Sequence, residues 1–433
     1  MRRRGTRSAP ASQCENLVPL ATDLRRTPGY EEATRVDLTA AAYRQERRSS
    51  WQDPDHRITL PYYGFGHVEL FNHHADETFG DWSRWAAQKY PGYEQLCGAT
   101  NAGADVRFTA PQAWKTRLPE ELYSTHYVAE RSEEFIRRRA AKGDGKPFFL
   151  QCSFPDPHHP FTPPGRYWGM YSPQDVAAPP TCHEPGVGAP PHLRWIHEER
   201  RQGQSVLTSQ RMFAVDEREA REMIALTYGM ITMVDDAVGR ILQALREAGL
   251  EDDTVVVFTS DHGDFMGDHG LMLKGPLHYQ GLVRVPFIWA DPAEKCAGAR
   301  SAGLASSVDI ARTVLARAGI APVNGMQGRD IVGLQGRGDR ATGPEAVLIE
   351  EDNQRAYLGF KEPVRARTLV TACHRITLYR GADWGEIYDL HDDPLEQENL
   401  WDRDPALRSR LLELLARKMM DSFDRSPRPT HVA

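Results

Sequence analysis

Between Asp216 and Ala290 the chain changes its hydrophobic period twice, and this limits the folds open to it. Asp216 and Glu219 form a capping-box pattern. Met223, Leu226, Met230, Met233, Val238, Ile241 and Leu245 then recur at helical spacing, and Gly249 stands where a helix-ending glycine belongs. Five residues later the apolar run Thr254–Ser260 reads as a strand, and Val285–Ala290 as a second. A helix feeding a buried strand is the repeating unit of layered α/β folds. The first strand runs straight into Asp261-His262-Gly263-Asp264, with Lys274 further on.

The 433 residues suffice for one large α/β domain or two ordinary ones. A net charge of −7 argues against nucleic acid or a membrane surface as the main partner, and leaves room for a local basic pocket. Only eight of the 53 basic residues are lysines, which draws attention to Lys274 inside its motif. The six cysteines are scattered without a CxxC pair, as expected of reduced thiols. The basic start MRRRGTRSAPASQ is followed by no apolar stretch, and no run approaches a membrane span. These features together predict a cytoplasmic protein.

Residues 1–56 are atypical, with no clear strand and a weak helical pattern over Glu31–Arg48. A Trp-rich helical stretch surrounds Trp82 and Trp85. Pro147–Phe154 reads as a buried strand ending in a proline-punctuated loop that holds Asp156, His158 and His159. Residues 172–214 read as a long Pro- and Gly-rich excursion, lid-like or ill-ordered. After a helix over Ser307–Ala318, the segments AVLIE, RTLVTA, RITLYR and EIYDL predict an antiparallel sheet packed with a terminal helix, Leu407–Met420. The expected partition is an N-terminal segment 1–56, an α/β domain 57–335 and a C-terminal subdomain 336–433.

In open α/β sheets ligands sit at the carboxyl ends of strands. Asp261 and His262 at such an end can turn toward one cation, and the following glycine lets the backbone bend. A mixed oxygen and nitrogen pair suits Mn²⁺, Zn²⁺ or iron, and Ca²⁺ tolerates it. Taken alone, DHGD reads equally well as a polar turn.

The longer pattern is more specific. Asp-His-Gly is followed by Gly267-Asp268-His269-Gly270, Lys274-Gly275 and Arg284-Val285-Pro286. With YYGF and VEL in Tyr62–Leu70, SFPDPHHPF at Ser153–Phe161, VDIARTVL at Val308–Leu315 and EIYDLHDDPLEQENLW at Glu386–Trp401, the chain resembles the sulfatase family of the alkaline phosphatase superfamily. The likeness runs over about residues 58–415 and is nearest in flavour to phosphonate monoester hydrolases and choline-sulfatase-like enzymes.

The resemblance implies a large, mixed, mostly parallel sheet sandwiched by helices, with a small C-terminal antiparallel subdomain. It implies that Asp261 and His262 ligate a divalent metal, Ca²⁺ or Mn²⁺. It implies that His158 hydrogen-bonds the bridging ester oxygen and that Lys274 contacts the sulfate or phosphoryl group. The substrate would be a small sulfate, phosphate or phosphonate ester, and a homo-oligomer is left open. Such groups suit the chemistry, because displacing an alcohol builds charge on the leaving oxygen that a cationic donor stabilises. His159 reads as a loop histidine, His73 and His74 as structural or rim residues, His269 as a support of the metal loop, and Asp264 and Asp268 as turn residues or as groups behind the metal ligands.

One part of the family pattern is missing. Family members carry a strand ending in paired aspartates and a Cys-x-Pro-Ser/Ala-Arg segment, whose cysteine becomes the formylglycine nucleophile. No cysteine here stands in that context. The expectations are a weakly held metal, little or no sulfatase activity, and a sheet whose first strand is absent or replaced. A truncated or frame-shifted gene product would explain this. So would a non-catalytic protein that binds anions or a partner.

Overall fold

A computed structural model describes residues 7–13, 44–186, 188–294, 298–323, 325–332, 343–353, 355–356 and 358–423. In chain order its elements begin with β1 (Arg7–Gln13), β2 (Glu69–Asn72), β3 (Phe79–Gly80), α1 (Asp81–Lys89), α2 (Ser124–Lys142) and β4 (Phe148–Cys152). Next come α3 (Pro191–Arg201), β5 (Phe213–Ala214), α4 (Glu217–Glu247), β6 (Val256–Thr259), β7 (Leu271–Met272), α5 (Gln280–Val283) and β8 (Phe287–Ala290). The last are α6 (Val308–Arg317), β9 (Ala346–Asp352), β10 (Arg365–Thr371), β11 (His374–Tyr379), β12 (Gly385–Asp389) and α7 (Pro405–Phe423). The chain divides into two compact units, residues 1–177 with 218–255, and 178–217 with 256–433.

The first unit is built on a four-stranded sheet in the order β3-β2-β1-β4. β1 pairs parallel with β2 on one side and β4 on the other, and β3 closes the edge antiparallel to β2. A segment of the N-terminal residues therefore occupies the centre of this sheet, which corrects the expectation of no strand before residue 56. Its sequence, RSAPASQ, gave no warning, since it lacks β-branched residues and carries Pro10, which cannot donate to a ladder. Parallel pairing on both sides supplies what propensity does not. Of the weak helix pattern, residues 31–43 lie outside the described residues, and Arg44–Arg48 forms turns.

The core of this unit gathers Phe71, Trp82, Trp85, Tyr93, Leu118, Leu122, Tyr123, Tyr127, Tyr167 and Met233. α1 turns Trp82, Trp85 and Ala86 inward, and the Trp82 indole N–H donates to the Leu122 carbonyl at 2.9 Å. Gly80 precedes α1 with φ +118°, where a Cβ would stand 2.4 Å from the Leu70 carbonyl oxygen. Only glycine fits there. The amphipathic pattern of α4 is realised over 31 residues, with Met223, Leu226, Met230, Met233, Ile241 and Leu245 all buried.

In the second unit β9–β12 form an antiparallel sheet in chain order, as the sequence predicts. One face pairs Leu369 with Leu348 and Ile376, and Ile376 with Ile387. Leu407, Leu411 and Leu415, one helical turn apart on α7, cover that face. The opposite face meets a larger cluster that includes Leu193, Ile196, Met212, Phe265, Leu271, Leu277, Tyr279, Tyr379 and Tyr388.

Leu193 and Ile196 belong to α3, inside the stretch whose composition reads as a lid-like or ill-ordered excursion. Pro190 and Pro191 open α3 rather than break it, because proline is tolerated in the first helical turn. β6, the strand that delivers Asp261, pairs antiparallel with β8 and adds no member to the parallel sheet among the described residues.

Candidate functional site

In the second unit the backbone leaves β6 at Thr259 and turns tightly. The Ser260 hydroxyl donates to the His262 carbonyl at 2.9 Å, and the His262 amide to Asp261 Oδ1, also at 2.9 Å. The Gly263 amide donates to the Leu282 carbonyl at 2.7 Å, which pins the turn to α5. Gly263 is required here, because a Cβ would lie 2.0 Å from the Gly281 carbonyl oxygen.

This turn brings Asp261 and His262 together, with Nε2 3.5 Å from Oδ2. His262 Nδ1 lies 2.6 Å from the Gly263 carbonyl, which can only accept, so the proton sits on Nδ1. Nε2 then presents its lone pair beside a carboxylate that is 69% exposed. A ring oriented through one nitrogen for ligation through the other is the usual arrangement of a metal-binding histidine.

The donor set stops there. Among the described residues no group of three or more His, Cys, Asp or Glu side chains could hold a metal ion. Two donors fall short of the four or more ligands a divalent cation takes, so these residues do not complete a site for one.

Asp264 accepts from the Met266 and Leu273 amides, each at 3.1 Å, and so ties the start of the loop to the residue before Lys274. Burial raises its carboxyl above the usual range, against the pull of the Met266 amide and of Lys274. His269, buried and stacked on Tyr279 with ring centroids 3.9 Å apart, braces the loop from inside. Lys274 lines an open cavity of about 200 Å³ with Gly275, Gln210, Arg211, Asn353 and Arg355.

His158 belongs to the first unit. β4 ends at Cys152, and the loop beyond it places His158 between His74, with centroids 3.5 Å apart and planes 8° apart, and His159 at 3.9 Å. His158 Nδ1 points at the His159 carbonyl and so carries a proton. Next to the stack Asp156 is buried and accepts from the Thr125 hydroxyl, and burial pushes its carboxyl up to about 7.

Sequence reasoning found His158 but gave His74 no direct part beside it, because 84 residues separate them. It also missed Gln210, Arg211, Asn353 and Arg355. Arg211 closes the Pro- and Gly-rich segment and Asn353 follows β9, and neither position carries a local signal.

Comparison with known proteins now adds to this geometry. The Sulfatase family model matches residues 60–320, and the N-sulphoglucosamine sulphohydrolase C-terminal model matches residues 267–422. The protein belongs to the sulfatase family, within the alkaline phosphatase superfamily.

The multifunctional alkaline phosphatase superfamily protein PehA of Trinickia caryophylli is 35% identical over 205 residues, covering 46% of this chain and 39% of that protein. An arylsulfatase of Clostridium perfringens is 29% identical over 333 residues, covering 75% of this chain and 62% of its own. The chain thus spans less than two thirds of the length of these curated relatives. The crystal structure of a phosphonate monoester hydrolase from Agrobacterium radiobacter superposes with a TM-score of 0.69 at 23% identity, covering 97% of this chain and 79% of that one. That likeness supports the α/β fold with its C-terminal antiparallel subdomain. Among the described residues no helix is long and apolar enough to cross a membrane.

Proposed function

We propose that this chain binds small sulfate, phosphate or phosphonate esters at the loop from Asp261 to Lys274, and that it descends from sulfuric ester hydrolases but turns such esters over slowly or not at all. The observation that carries the binding is the loop itself. One tight turn joins Asp261 to a His262 whose Nε2 stands 3.5 Å from the Asp261 carboxylate, and the same loop extends to Lys274 at a basic cavity. An ammonium is a compact point charge suited to an oxyanion. His158 is assigned to the bridging oxygen of the ester, as a donor to the leaving group.

The slow turnover rests on motif content. None of the six cysteines is followed by x-Pro-x-Arg, so the 433 residues hold no formylglycine precursor. A divalent ion, Ca²⁺ or Mn²⁺, would be held weakly by Asp261 and His262, because the described residues supply no third ligand. On this reading residues 57–335 carry the chemistry and 336–433 part of the cavity wall. The cytosol suits the scattered cysteines, of which Cys97, Cys152 and Cys373 form no disulfide.

Steady-state assays with an aryl sulfate and a phosphonate monoester, with added Mn²⁺ or Ca²⁺, test the reading beside calorimetry with inorganic sulfate and phosphate. The expected result is heat of binding with turnover far below the usual ~1–10³ s⁻¹. Turnover within that range would overturn the impairment, and no heat with either anion would overturn the binding. A purely anion-binding role without chemistry is the second reading, favoured by the two-donor metal set, and zero turnover with retained binding would select it.

A further inference from the structure

We infer that the cavity beside Lys274 is a subsite for a second oxyanion, so that the preferred ester carries a carboxylate, sulfate or phosphate on its alcohol portion. This rests on the reading of Lys274 as the contact to the ester's own sulfuryl or phosphoryl group.

The cavity is assembled from three stretches of the second unit. Gln210 and Arg211 precede β5, Lys274 and Gly275 follow β7, and Asn353 and Arg355 follow β9. Its lining therefore holds three cations and two amides, with no carboxylate and no apolar side chain. Small-molecule pockets are mostly apolar with a few polar groups, so this composition points to a strongly anionic guest.

Lys274 accounts for one oxyanion. The cavity's two guanidiniums, with planar forks matched to carboxylate, sulfate and phosphate oxygens, are more than one tetrahedral group needs. The volume of about 200 Å³ accommodates a second such group. Asn353 accepts from the Arg355 amide at 2.9 Å, and the Asn353 and Val364 amides bond across the same turn, so the strand end that carries Arg355 is held in place.

Three carboxyls lie near the lining residues without entering the cavity wall. Glu199 neighbours Arg211, Asp264 neighbours Lys274, and Glu351 is bonded by Asn353. A cationic alcohol would meet repulsion in this cavity, and a neutral one would leave the guanidiniums without a guest.

The test measures binding to the full chain by calorimetry at fixed ionic strength, with phenyl sulfate, 4-carboxyphenyl sulfate and benzene-1,4-disulfate as probes. The expected result is that both dianions bind at least about tenfold more tightly than phenyl sulfate, the scale of one charge-assisted contact. Arg211→Gln and Arg355→Gln should each cut that ratio to about threefold or less, with phenyl sulfate losing less affinity than the dianions. A carboxylate preference or a sulfate preference among the dianions identifies which group the subsite takes.

A wild-type ratio near one, or a ratio kept in both arginine variants with unchanged thermal unfolding, overturns the subsite. In that case phenyl sulfate binding that is lost in Lys274→Met leaves the proposed function standing. If phenyl sulfate fails to bind but terephthalate binds and depends on Arg355, the assignment of Lys274 falls and the anion cavity stands. If no anion binds, both fall.

Discussion

Replacing Arg375 by methionine should destabilise the second unit more than any surface change. The Arg375 side chain is fully buried, as are Glu386 and Glu396. Its guanidinium donates to Glu396, to the Thr377 hydroxyl at 2.8 Å and to Glu386 at 3.2 Å. It also lies 4.9 Å from the Tyr279 ring centre and 4.7 Å from that of Tyr388. Burial works to raise the Glu386 carboxyl, but Arg375 and the Tyr379 hydroxyl outweigh it and hold it below its ordinary value.

Removing one partner of a buried ion pair costs about 3–5 kcal/mol, mostly through the charge left behind. Two carboxylates are stranded here, so the upper end applies, and Tm should fall by roughly 10–15 °C at a few degrees per kcal/mol. Methionine fills much of the volume, which separates the charge effect from a cavity. Adding Glu386→Gln and Glu396→Gln to Arg375→Met should therefore recover at least half of the loss.

The network also reaches the functional loop. Glu396 accepts from the Gln280 amide at 2.7 Å, and Gln280 begins the short helix whose Leu282 carbonyl holds Gly263. Sulfate affinity should fall with stability in the single variant. Urea unfolding followed by circular dichroism, with calorimetry for sulfate, measures both. A single variant within about 1 kcal/mol of the parent, or a triple variant no better than the single one, would refute the reasoning.

Three further outcomes are expected. Burial holds His192 and His278 down to about 4, so both stay neutral in the fold while the unfolded chain takes up protons below its ordinary value of 6.5. Their stabilising share is complete above that value and drains away as pH falls toward 4. Each should cost roughly 2 kcal/mol between pH 7 and pH 5; His192→Phe should flatten the urea midpoint over that interval, and an unchanged slope would exclude the assignment. Asp156 acts with the opposite sign, because its carboxyl stays protonated up to about 7 while the unfolded chain ionises from about 3.8. Stability from this group is lost as pH rises through that window, by about 4 kcal/mol in all, and Asp156→Asn should gain on the parent from pH 5 to pH 8 if this is right. Gly263→Ala drives a Cβ into the Gly281 carbonyl and should cost about 1–3 kcal/mol along with most of the sulfate affinity, so parental binding heat in this variant would count against the turn as the site.

Where one periodicity dominated a segment, the sequence could be read directly. The helix Glu217–Glu247 and the four strands between Ala346 and Asp389 carry their burial pattern in consecutive residues. Asp261 and His262 were legible as a pair for the same reason, since chain neighbours at a strand end have little choice but to meet. Arg7–Gln13 was not, because its strand state comes from two partners far along the chain and not from its own side chains. The helix Pro191–Arg201 hid behind its prolines. The cavity at Lys274 was the least readable of all. Its walls come from residues more than 60 positions apart on either side, and single polar residues in loops announce nothing about what they will face.

The order in which the chain is spent between the two units has a consequence for its biosynthesis. Residues 178–217 belong with 256–433, yet 38 residues of the other unit are made between them. While a ribosome extends the chain, Leu193, Ile196 and Met212 emerge long before Tyr279, Tyr379 and Tyr388, against which they close. At ~5–20 residues per second that interval is on the order of 10–40 s. A greasy helix is left waiting for its other half, and holdase chaperones would find their target there.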